Sequence, residues 1–161
     1  MLYIALGMVK SMYNYIAETW HSMYKSRSTE LKEKIIKARS EPRIVRLDRP
    51  SRLDRARALG YKAKQGFVVV RVRVSKGGMR KQRPRSGRRP KHLGVVKIKQ
   101  AESMKKVAER RVLKKYPNME LRGSYYVFED GRYYWFECIL IDRAHNAIKN
   151  DRDLIHQLKP E

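Results

Sequence analysis

Apolar positions repeat along this chain with two different periods, and each period marks a different kind of element. Val9, Met12, Tyr13, Ile16 and Trp20 fall at i, i+3, i+4, i+7 and i+11. This is the spacing of one helix face, and it predicts an amphipathic helix over roughly 9–24 with its aromatic stripe in the core. Ser26 to Thr29 interrupt the pattern. Ser28 or Thr29 is placed to cap a second helix, with Glu30 in its first turn and Leu31, Ile35 and Ala38 on one side, ended by Glu41-Pro42. From Phe67 to Val74 the period changes to two: Val68, Val70, Val72 and Val74 alternate with Val69, Arg71 and Arg73. That predicts a strand with one buried face and one basic face.

Further on, Met104, Val107, Ala108 and Val112 share one side of a helix expected over about 100–116, stopped by Pro117. Tyr125 to Phe128 and Tyr133 to Ile141 flank Glu129-Asp130-Gly131-Arg132, and Asp-Gly between two β-rich runs is a strong hairpin signal. The second run puts Tyr134, Phe136, Cys138 and Leu140 on one face, which makes Cys138 a packed core thiol. Short extended segments are expected at 43–47 and 95–98, and a helical turn near 144–149. The order of elements gives an α+β fold with a small, mainly antiparallel sheet packed with helices. The 161 residues read as one domain, with a basic arm at about 75–94. The apolar opening, MLYIALG, lacks the basic region that precedes a signal sequence. A start at Met8 with an upstream overhang fits it at least as well.

Between Phe67 and the second helix lies Arg49 to Gly66, RPSRLDRARALGYKAKQG, with six cations against one acid. Pro50 favours entry into a helix, Ser51 is placed to cap it, and Asp54 three residues later fits a capping-box arrangement. Leu53, Ala56 and Leu59 form a short apolar stripe that attaches this helix to the body, with the arginines facing outward, and Gly60 supplies a left-handed stop.

Charge then changes the picture. The chain carries 39 Lys+Arg against 16 Asp+Glu, a formal net charge of +23. Residues Arg43 to Lys115 hold 26 basic and 4 acidic residues, so the two ends are close to neutral. Such a middle repels itself unless a polyanion neutralises it. No apolar run is long enough for a transmembrane helix. Arg71 to Lys91 holds ten basic residues and no acid, interrupted by Gly77, Gly78, Pro84, Gly87 and Pro90. This segment is a solvated loop when free, and becomes ordered when its arginines meet phosphates. Arginine offers bidentate phosphate contacts and stacking on bases, which suits folded RNA.

Catalytic and metal chemistry find little support. A single cysteine excludes an internal disulfide, and the four histidines have no ligand spacing. A metal-dependent nuclease built on Glu129, Glu137 and Asp142, with His145 nearby, is outweighed by the reading in which these acids close a hairpin and cap the turn after it.

The stretch RPSRLDRARALGYKAKQG with the following VVVRVRV closely resembles the archaeal and eukaryotic large-subunit ribosomal protein family L-fifteen-e. Tyr13 to Trp20 (YNYIAETW), Glu129 to Gly131 (EDG) and Ile139 to Asp151 (ILIDRAHNAIKND) are similar to that family too, in family order. Gly123, Phe128, Arg143 and Asn146 depart from it, standing where Asn, Gly and two prolines are usual. The family also continues into an Arg/Gly-rich tail, whereas this chain stops at Glu161. The resemblance implies a non-enzymatic constituent of cytoplasmic large ribosomal subunits, with an α+β body and basic extensions among ribosomal RNA and neighbouring ribosomal proteins. It implies no cofactor, no metal, no membrane and no small-molecule substrate. Carried onto this chain, the RNA contacts are Arg49, Arg52, Arg55, Arg57, Lys62, Lys64, Arg71, Arg73, Lys76, Arg80, Lys81, Arg83, Arg85, Arg88, Arg89 and Lys91. A free chromatin or RNA-chaperone protein is the alternative that composition alone allows.

Overall fold

A computed structural model describes residues 10–78, 80–95, 100–151 and 153–154. The apolar opening, Val9 and all but Val95 of the expected strand at 95–98 lie outside the described residues. Four antiparallel strands form a sheet of order β1-β2-β4-β3: β1 (Ile44–Leu47), β2 (Phe67–Ser75), β3 (Glu120–Glu129) and β4 (Tyr133–Ile141). Helices α1 (Met12–Ser26), α2 (Thr29–Ser40) and α3 (Leu53–Ala58) belong to one side, and α4 (Met104–Lys115) to the other; α5 (Asn146–Lys149) follows the last strand.

The alternation in β2 explains the layering, because successive side chains point to opposite faces. Val68, Val70, Val72 and Val74 pack with Phe136, Cys138 and Leu140 of β4 and with Ala108 and Val112 of α4. On the other face Val69, Val127, Trp135 and Ile139 meet Trp20 of α1, Leu31 and Ala38 of α2 and Ala56 of α3. The second face of β2 is therefore covered too, which corrects the expectation of a basic outer face. Cys138 is fully buried, and burial pushes its thiol up to about 12, so it packs as a small apolar group.

Local chemistry sets the ends of the elements. The Ser28 hydroxyl accepts from the Leu31 amide at the start of α2, and the Ser103 hydroxyl does the same from Lys106 at the start of α4. Asp130 closes the β3–β4 hairpin by accepting from the amides of Arg132 and Tyr133 through one carboxylate oxygen, at 2.7 and 2.6 Å. Burial alone would raise the Asp130 pKa. These two amides and Arg39 outweigh it and hold the carboxyl below its ordinary value.

The stripe expected in α1 is only half correct. Ile16, Met23 and Tyr24 pack beside Trp20, while Met12 and Tyr13 are exposed among the described residues.

Candidate nucleic-acid interface

The basic stretch is held to the sheet by one buried carboxylate. Glu137, in the middle of β4, is fully buried. It accepts from the Ser51 amide at 2.9 Å, the Ser51 hydroxyl at 2.5 Å, the Tyr125 hydroxyl at 2.6 Å, and Arg71 Nε and Nη2 at 3.3 Å each. Burial, then the charge of Glu137, raises the Tyr125 phenol well above its ordinary value, so it remains a donor. Arg71 also donates from Nη1 to Glu41 at 3.1 Å. The residue that opens the basic helix is thus fixed to a strand 86 positions away in sequence.

This corrects three local expectations. Ser51 does not cap α3: its hydroxyl is taken by Glu137, and the cap position is Arg52, whose side chain makes no cap bond. Asp54 completes no capping box, because it accepts from Arg52 Nη2 at 2.8 Å. Arg52 does not face outward. It is 6% exposed, paired with Asp54, and lies over the Trp20 ring at 5.5 Å from its centroid. As the cap residue it sits outside the helical periodicity that turns Arg55 and Arg57 to solvent. The apolar stripe is as expected: Ala56 is buried, Leu53 and Leu59 pack against the same core, and a Cβ on Gly123 would stand 3.0 Å from Leu59. A side chain there would crowd Leu59, which would have to give by a few tenths of an ångström. Gly60 follows α3 at φ +83, as the left-handed stop requires.

The remaining expected contacts fall into two groups. Lys62, Lys64, Arg71, Arg73 and Lys76 are half-buried and engaged within the protein. Lys62 Nζ donates to Asp151 at 2.9 Å and to Asp153 at 3.0 Å, and Lys64 pairs with Asp151 and donates to the Ala147 carbonyl. Hydrogen bonds from Lys64 and Lys62 hold the Asp151 carboxyl far below the carboxylate range, and the Lys62 amine is raised in return. Arg73 donates to the Arg39 carbonyl and covers the Tyr133 ring, while Lys76 pairs with Glu129 over the Tyr134 ring.

Arg49, Arg55, Arg57, Arg80, Lys81, Arg83, Arg85, Arg88, Arg89 and Lys91 are exposed and form no ion pair among the described residues. The last seven lie on the connection between β2 and α4, whose described part carries only one short 3-10 turn, Pro90–His92. Asp151, the partner of both lysines, was not legible from sequence, since nothing local ties it to residues almost ninety positions earlier.

The acids weighed for catalysis do not converge. Glu137 is saturated with donors inside the sheet, Glu129 pairs with Lys76, and Asp142 accepts from the Ala144 amide. Among the described residues no group of three or more His, Cys, Asp or Glu is placed to hold a metal, and no helix is long and apolar enough to cross a membrane.

A family model described as Ribosomal L15, of the L15e type, matches residues 11–160. That span takes in the sheet, the five α-helices of the described residues and the whole basic middle. The chain belongs to this family of large-subunit ribosomal proteins.

Proposed function

We propose that this protein is a non-enzymatic constituent of cytoplasmic large ribosomal subunits, and that it binds and stabilises folded ribosomal RNA through α3 and the β2–α4 arm. The observation that carries this is the separation of its cations. Arg52, Lys62, Lys64, Arg71 and Lys76 are paired with the protein's own acids, whereas Arg49, Arg55, Arg57 and the arm from Arg80 to Lys91 form no ion pair among the described residues. Unpaired arginines on a helix and on a separate arm suit an RNA surface with phosphates at several angles, because each neutralised phosphate releases counterions. Lys62, Lys64, Arg71, Arg73 and Lys76 belong to the same surface, their heads already positioned by Asp151, Glu137, Glu129 and aromatic rings.

The test is binding of the full chain to large-subunit RNA fragments as a function of salt. Affinity should fall steeply as salt rises, with a slope reflecting on the order of ten phosphates. Replacing Arg55, Arg57, Arg80, Arg83 and Arg85 by Gln should flatten that slope by about 3.5 to 4.5. The chain should also stay with large subunits through high-salt washes. Equal affinity for duplex DNA, or loss from subunits with the weakly bound fraction, would refute the assignment.

A further inference from the structure

The expected contacts leave out α4, yet its charge is as one-sided as that of α3. Its twelve residues, Met104–Lys115, include Lys105, Lys106, Arg110, Arg111, Lys114 and Lys115 against a single acid. That acid, Glu109, is turned inward, where it accepts from the Ser124 hydroxyl at 2.5 Å. A merely solvated helix of this length ordinarily mixes both signs and places acids in its first turn, where the dipole favours them. Here the first turn has no acid and carries Lys105 and Lys106 against the dipole. The two cations of the last turn suit the dipole and need no other reason. Of these six cations only Arg110 forms an ion pair among the described residues, with Glu102 at 2.9 Å; burial, then the neighbouring Arg43 and Arg110, push Arg111 below its ordinary pKa.

The sheet order puts β3 at an edge, and there α3 and α4, from opposite layers, reach a common recess of ≈ 420 Å³. Arg55 lines it from α3 and Lys105 from α4, with Tyr126 and Phe136 between them. Tyr126 is 37% exposed, and its ring meets Phe136 edge-on at 6.1 Å. Neither Arg55 nor Lys105 forms an ion pair among the described residues. An aromatic surface between two unpaired cations matches a nucleotide, with a π-face to stack and a phosphate to neutralise.

We propose that the recess at the β3 edge is a second RNA site, which takes an unstacked nucleotide of a single-stranded segment with its base on Tyr126 and its phosphate between Arg55 and Lys105. The strand continues along the outer face of α4, where Lys106, Arg110 and Lys114 recur every four residues, about 6 Å apart along the axis. The protein then engages RNA on both layers of its sheet. This rests on the RNA-binding reading above and goes beyond it in naming a site and a single-stranded ligand.

The experiment measures affinity of the full chain for a single-stranded RNA oligonucleotide and for a fully paired RNA duplex. The variants are Tyr126→Ala, Tyr126→Phe, Lys105→Gln with Lys106→Gln, and, as a control in the arm, Arg80→Gln with Arg83→Gln. Tyr126→Ala should weaken binding of the single strand about tenfold and leave the duplex unchanged. Tyr126→Phe, which keeps the ring, should bind both as the parent does. The α4 pair should reduce the single-strand salt slope by about 1.4. A Tyr126→Ala affinity equal to the parent's, or an equal loss on both probes, would overturn the site. If the arm variant still weakens RNA binding in that case, the broader function stands. A parent chain that binds neither RNA would overturn both.

Discussion

Glu137→Gln tests whether one carboxylate holds the basic helix on the body. The substitution keeps the volume of a fully buried side chain and removes its charge. Four donor groups converge on the carboxylate: the Ser51 amide, the Ser51 hydroxyl, the Tyr125 phenol and the Arg71 guanidinium. An amide keeps one accepting oxygen and turns its NH2 toward other donors. Breaking a buried pair from one side costs about 3–5 kcal/mol. Arg71 retains Glu41 at 3.1 Å and some exposure, which places the loss near the lower end, about 3 kcal/mol.

For a chain of this size that corresponds to a fall in Tm of roughly 10 °C, read by calorimetry or urea unfolding. The variant should also lose affinity for ribosomal RNA without touching an exposed arginine, because α3 loses its anchor at Ser51. Glu137→Leu combined with Arg71→Met should regain much of the stability, since a well-packed apolar pair replaces a desolvated ionic one. A Glu137→Gln chain whose Tm lies within about 2 °C of the parent's would refute the reasoning, and so would a double variant as unstable as the single.

Gly66→Ala should destabilise by about 2 kcal/mol or more, because φ is +90 and the new Cβ would lie 2.4 Å from Ile148 Cγ1; pairing it with Ile148→Ala should remove the clash but not the backbone strain, and urea midpoints separate the two. Asp151→Asn should flatten the acid limb of the Tm–pH curve. The folded pKa of Asp151 lies below its unfolded value near 3.9, so the contribution of its lysine pairs is present above about pH 4 and is lost as pH falls below it. Parallel acid limbs for the two chains would refute that assignment.

Features set by neighbours in sequence were legible and features set across the fold were not. The valine alternation placed β2, the Asp-Gly turn placed the β3–β4 hairpin, and Ser28 marked the start of α2, each through contacts a few residues apart. Ser51 misled because its best acceptor, Glu137, lies on a strand that only folding brings close. Arg52 misled for a related reason: a residue at the cap leaves the helical rotation, and its direction is decided by Asp54 and Trp20. The exposure of Arg55, Arg57 and the cations of the arm was readable because charge without an acid nearby is a local property. The inward turn of Glu109 was not, since it depends on Ser124 across the α4–β3 contact.

The connection between β2 and α4 has a consequence for how much change the chain tolerates. Its cations between Arg80 and Lys91 make no ion pair among the described residues, while the strands and helices on either side are joined through the core. For the body, this connection closes a loop whose ends are fixed by Lys76 against Glu129 and by Ser103 at the start of α4. Closure entropy grows with the logarithm of length, so doubling such a loop costs about 0.6 kcal/mol. The arm can therefore lengthen, shorten or change composition while the sheet that carries it stays nearly as stable.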